Sequence, residues 1–173
     1  MKIWEVKDLG LDNLTLTEKD IKPIEDDEVL VEMKAATLNY RDLIMIDGGY
    51  GPIGGKPPFI PISDGAGIVK EVGKSIKNFK VSDIVIPPFF KGWDTGSMKE
   101  NTVFLSLGGK EDGVMQEFMI FKENNLVSIS PPLLVQRAIS LWFMGKFIFP
   151  TSCPTNSTFW INCPKINFLL GAN

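Results

Sequence analysis

Two stretches of this chain carry residue types fit for chemistry: Leu38-Asn39-Tyr40-Arg41-Asp42-Leu43 and, downstream, Ile62-Ser63-Asp64-Gly65-Ala66-Gly67. Read by type alone, Asn39 is a helix cap. Asp42, three positions on, sets a carboxylate against the free N–H groups and positive end of the first turn. Tyr40 and Tyr50 place phenols on either side of that helix, and a solvated surface position suits Arg41 equally well. Metal chemistry is poorly served. There is no histidine, and the two cysteines, Cys153 and Cys163, each precede a proline. A catalytic zinc needs three nitrogen, sulfur or carboxylate ligands around an open position, which Asp64 cannot supply alone. Gly65-Ala66-Gly67 precedes strand-like Ile68-Val69 rather than following a strand and opening a helix. It therefore reads as close backbone approach within a sheet, not as a phosphate loop.

The elements that must position these residues are mostly strands. Residues 28–35 alternate, with Val29, Val31, Met33 and Ala35 on one face and Leu30, Glu32 and Lys34 on the other. Residues 68–72, 84–86, 118–121 and 126–129 supply further strands, separated by Gly73, Ser82-Asp83 and residues 122–125 as turns. Only residues 39–45 read as helix. Many short strands at such spacing predict a mainly β barrel or sandwich with one or two short helices. Two long loops, 48–61 and 87–113, are rich in glycine, proline and aromatic residues, and loops of that length are often functional. After residue 130 the texture changes. From Asn124 onward there is no Asp or Glu, and beyond residue 130 neither helical nor strand period appears.

The composition is ordinary for a globular protein, with 44% apolar and 23% charged residues. A net charge of −3 offers no basic footprint for nucleic acid. The amino terminus lacks the apolar run of a secretory signal. Residues 141–150, the greasiest stretch, are too short to span a membrane and are broken by Lys146. A cytoplasmic protein without nucleic-acid or membrane partners is expected.

In order and spacing the motifs at 38–43 and 58–69, with Val72-Gly73 and residues 79–85, resemble the N-terminal, GroES-like half of the medium-chain dehydrogenase/reductase superfamily. The resemblance covers residues 1–130 and implies a partly open GroES-like barrel. Residues 131–173 are expected to be an irregular, aberrant tail where that family places its cofactor-binding domain. In the zinc-bearing members a Cys-His pair stands at Asn39-Tyr40 and Gly-His-Glu at Ile62-Ser63-Asp64, and their four-cysteine lobe has no counterpart here. The likeness is thus to the zinc-free, quinone-oxidoreductase-like branch, with no metal site.

By that resemblance Asn39 and Tyr40 are the catalytic candidates, the Asn39 amide lying beside a substrate carbonyl as an oxyanion donor. Asn39, Asp42 and Tyr50 are the candidates for contact with the cofactor. The implied activity is a zinc-independent oxidoreductase acting on a carbonyl, quinone or alcohol with NAD(P)H, not competent alone because the nucleotide-binding half is missing. The alternative is a non-catalytic β-barrel interaction module. Self-association is expected through the cleft that the missing half would cover. The family usually has glycine where Ser82 stands, so a positive φ at that position would strain the serine.

Overall fold

The computed structural model describes residues 1–93 and 96–129. Cys153, Cys163 and the expected tail at 131–173 lie outside the described residues. The architecture is mainly β, with a single α-helix, α1 (Tyr40–Ile46), and a few 3-10 turns among the described residues. β1 (Lys2–Val6) and β2 (Leu14–Glu18) form an antiparallel pair. A five-stranded antiparallel sheet runs in the order β6-β3-β4-β5-β7. Its strands are β3 (Glu28–Thr37), β4 (Asp64–Val72), β5 (Ile84–Ile86), β6 (Phe118–Lys122) and β7 (Val127–Ser128). β1 also bridges to residues outside the strands, Ile3 to Gln116 and Val6 to Phe59, and the two sheets do not close into a barrel.

The alternation expected in β3 is what buries it. Val29 and Val31 are wholly enclosed, and Met33 and Ala35 nearly so. Val29, Val31 and Met33 join Ile3, Val6, Val69, Val85, Val114, Met119 and Phe121 in one apolar core. Each fully buried side chain of this size contributes roughly 1.5–3 kcal/mol by leaving water. β3 runs longer than the alternation alone suggested because its far end, Ala36 and Thr37, pairs with Gly65 and Asp64. β1 and β2 carry little period in five residues each, and mutual pairing defines them.

The Gly65-Ala66-Gly67 segment is the close approach expected of it. A Cβ on Gly67 would lie 2.5 Å from the Glu32 carbonyl oxygen. Near this point the β3–β4 register shifts, between Met33 and Ala35. The long loops also find a structural purpose. Gly113 N–H bonds the Ile60 carbonyl at 2.7 Å and Val114 N–H bonds that of Ile62 at 2.8 Å. The later loop is thereby stitched to the segment that leads into β4. Ser82 does take a positive φ, 77°, and Ile62 has φ 71°. A β-branched residue in that region is a genuine outlier, and Ile62 directly precedes Ser63-Asp64.

Candidate active site

Helix α1 begins where the sequence supplies both halves of its start. Asn39 has extended backbone (φ −111°, ψ 153°), and the Asp42 Oδ2 carboxylate oxygen accepts its N–H at 2.8 Å. The Asp42 N–H in turn bonds the Asn39 carbonyl at 2.9 Å. These contacts fix Asn39 at the rim of α1 and leave its side-chain amide to reach across to β4. There Nδ2 donates to Asp64 Oδ2 at 2.7 Å and lies 3.5 Å from Ser63 Oγ. The Ser63 hydroxyl donates to the same Asp64 oxygen at 2.6 Å. Asp64 is therefore a hub that gathers an amide and a hydroxyl from two elements.

Asp42 is almost wholly enclosed, and burial pushes its carboxyl up to about 6. Backbone N–H groups of Asn39 and Ser63 and the Arg41 charge pull the other way without cancelling that cost. Its Oδ1 has no hydrogen-bond partner, and neither has the buried Thr37 hydroxyl, whose residue pairs with Asp64 across the strands. Buried polar atoms left unpaired are costly. Two of them flank Ser63-Asp64.

Arg41 turns inward instead of out to solvent, with its side chain only 15% exposed. Its guanidinium donates to Ser106 Oγ at 2.7 Å and to the Leu107 carbonyl at 3.1 Å. It also packs over the Phe89 ring at 4.7 Å and stands 5.8 Å from the Tyr50 ring. The solvated reading of this residue failed because its partners are supplied by a loop distant in sequence.

The structure thus brings Asn39 and Asp42 together, adds Ser63 and Asp64, and places Tyr50 beside Arg41. Tyr40 is not gathered in. At the first position of α1 it is 79% exposed and makes none of these contacts. Ser63 and Asp64 enter the sequence argument only as substitutes for metal ligands, and Ser106 does not enter at all. A polar pair at the start of a strand could have flagged the former, but no local signal marks the latter.

Among the described residues no three His, Cys, Asp or Glu side chains converge as a metal site. Around Asp64 the nearest groups are an amide and a hydroxyl that both donate to it. A zinc ion would require acceptors in those places.

The family model of the alcohol dehydrogenase GroES-like domain matches residues 25–131. A zinc-type alcohol dehydrogenase-like protein of Schizosaccharomyces pombe is 38% identical over 119 residues, covering 68% of this chain and 34% of that protein. The mitochondrial enoyl-[acyl-carrier-protein] reductase of Dictyostelium discoideum is 35% identical over 117 residues, 66% of this chain and 27% of its own length. Among solved structures, a thermostable alcohol dehydrogenase from Pyrobaculum aerophilum superposes with a TM-score of 0.68 at 26% identity, covering 82% of this chain and 44% of that one. The chain spans about a third or less of the length of these curated relatives.

Proposed function

The chain belongs to the alcohol dehydrogenase GroES-like domain family, and from that premise we propose that residues 1–129 form the substrate side of a zinc-independent, nicotinamide-dependent oxidoreductase acting on a carbonyl, enone or quinone. The observation that carries this reading is the Asn39–Ser63–Asp64 hub. It occupies the position where zinc-bearing relatives gather metal ligands, and its internal hydrogen bonds replace a ligand set.

A nicotinamide cofactor, when bound, supplies the hydride. The residues suited to meet its ring and the substrate are Asn39 and Tyr50, with Asp42 holding Asn39 in place from behind. Tyr40, out on the surface of α1, suits the rim of such a contact. Asp64 fixes the rotamer of the Asn39 amide, so the amide meets a substrate oxygen in a set orientation, without reorganisation at the moment of reaction. The described residues hold no strand–glycine loop–helix unit, and in this reading the chain does not hold the dinucleotide by itself. NADPH titrated into the chain should then show no saturable fluorescence change below the millimolar range, about 4 kcal/mol of binding.

Two measurements test the proposal. Elemental analysis after dialysis against zinc should find far less than one zinc per chain. A stoichiometric, tightly held ion would overturn zinc independence. In isotope-labelled protein, a small enone such as 2-cyclohexenone should shift the Asn39 side-chain amide signals, and Asn39→Ala should abolish the neighbouring response at Ser63. An enone that leaves these signals unmoved would overturn the substrate-side assignment. Self-association belongs to the same reading. Tyr40 and Leu43 on α1, with Leu38 just before it, present apolar surface, the two leucines each 38% exposed. Light scattering should find oligomers that Leu38→Glu with Leu43→Glu returns to monomer.

A further inference from the structure

Arg41 stands where α1 and the two long loops meet, and its hydrogen-bond donors are under-used. An arginine has five N–H donors in a planar fork. Only two find acceptors among the described residues, Ser106 Oγ and the Leu107 carbonyl. The nearest carboxylate oxygen, Asp42 Oδ1, is 3.7 Å away, beyond a hydrogen bond. The two groups form an ion pair without a hydrogen bond, so the contact uses none of the fork's N–H donors. Burial pulls the Arg41 guanidinium below its ordinary pKa, the direction expected when a cation leaves water without full compensation.

The fork is held in place as well as underused. The Phe89 ring lies against it at 4.7 Å and the Tyr50 ring at 5.8 Å. Two aromatic plates and two hydrogen bonds together fix the plane of the guanidinium and cut the entropy cost of engaging a ligand. A fixed fork with spare donors is the geometry that takes two oxygens side by side. Asp64 is near enough to favour the Arg41 charge, which ties the fork to the Asn39 hub.

We propose that Arg41 is the substrate anchor of this site, binding the carboxylate of a short α,β-unsaturated acid whose reacting carbons then face Asn39. The inference rests on the oxidoreductase reading for its substrate class but not for the binding event. The bland counterpart is a tie that merely fastens α1 to the loop at 87–113, and the two differ in whether a carboxylate binds.

The full chain, labelled for NMR, is titrated with crotonate at constant ionic strength, following the Arg41 Nε–H and the Leu107 and Gly109 amides. Saturable shifts with a Kd in the low millimolar range, roughly 4 kcal/mol, are expected. Arg41→Lys keeps the charge and loses the fork, and should weaken binding at least about tenfold. Unchanged β3 and β4 amide signals would establish that the variant is folded. If it does not fold, the wild-type chain still decides: crotonate should raise Tm in a concentration-dependent way and neutral crotonamide should not. Unmoved signals with crotonate, an unaltered Kd in the folded lysine variant, or equal effects of crotonate and crotonamide would overturn the proposal. So would inorganic phosphate binding more tightly than crotonate at the same amides, which would reassign the fork to a nucleotide phosphate. Because no cofactor is present, crotonate binding can stand while the enone test at Asn39 fails, and the reverse.

Discussion

In the five-stranded sheet, Val29, Val31, Val69 and Val85 are wholly buried and the strands satisfy one another's backbone groups. Around α1, side chains bind across long sequence separations instead. Arg41 reaches Ser106, Asn39 reaches Asp64, and Asp112 Oδ1 accepts the Ile60 N–H at 3.1 Å. The sheet is held by area removed from water, which is non-directional and tolerant of detail. The cluster around α1 is held by directional bonds, two unpaired polar atoms and an isoleucine at φ 71°. Stability is thus concentrated in the sheet and conformational constraint around α1 and the start of β4, as expected where strain marks a functional region.

The contrast is broken most directly from the sheet side. Phe121→Ala empties a core position and should cost roughly 3–5 kcal/mol, read as a fall in denaturant midpoint without a change in slope. A loss under about 1 kcal/mol would mean that the sheet is not where stability resides.

On the cluster side the largest effect should appear as pH dependence. Burial raises the folded-state pKa of Asp42 above that of an unfolded aspartate, so folding takes up a proton there. Its contribution is fully present below about pH 4 and is lost as pH rises through about 6, on the order of 2–3 kcal/mol in all. Asp42→Asn keeps the shape and removes the buried charge. The difference in unfolding free energy between wild type and variant should therefore grow in the variant's favour from pH 4 to 7. A flat difference would show that Asp42 is not the strained carboxylate.

The smallest effect sharpens the comparison at a turn outside both regions. Ser82 is exposed with φ 77°, and its N–H already bonds the Val69 carbonyl. Ser82→Gly should relieve left-handed strain at no packing cost and stabilise by about 0.5–1 kcal/mol, net of glycine's greater entropy loss. Destabilisation would mean that the serine backbone is at ease there.

How legible each region was follows from the range of the forces that make it. The period-two pattern at 28–35, the strand at Ile84–Ile86 and the cap and carboxylate at Asn39 and Asp42 are encoded within a few residues, so the mainly β class and helix α1 could be read from them. The resemblance carried by the motifs at 38–43 and 58–69 pointed to the family that the match over residues 25–131 establishes. The lack of histidine, too, is a fact of sequence.

Only the tertiary structure decided which polar groups meet. The Asn39 amide is committed to Asp64, 25 positions away, and Arg41 to Ser106, 65 positions away. No local pattern encodes such pairings, because they depend on how the 48–61 and 87–113 loops are folded onto β4. Chain closure over those distances is repaid only by packing formed elsewhere, chiefly in the sheet. For the same reason Arg41, polar and adjacent to an exposed tyrosine, reads as a surface residue in one dimension and is enclosed in three.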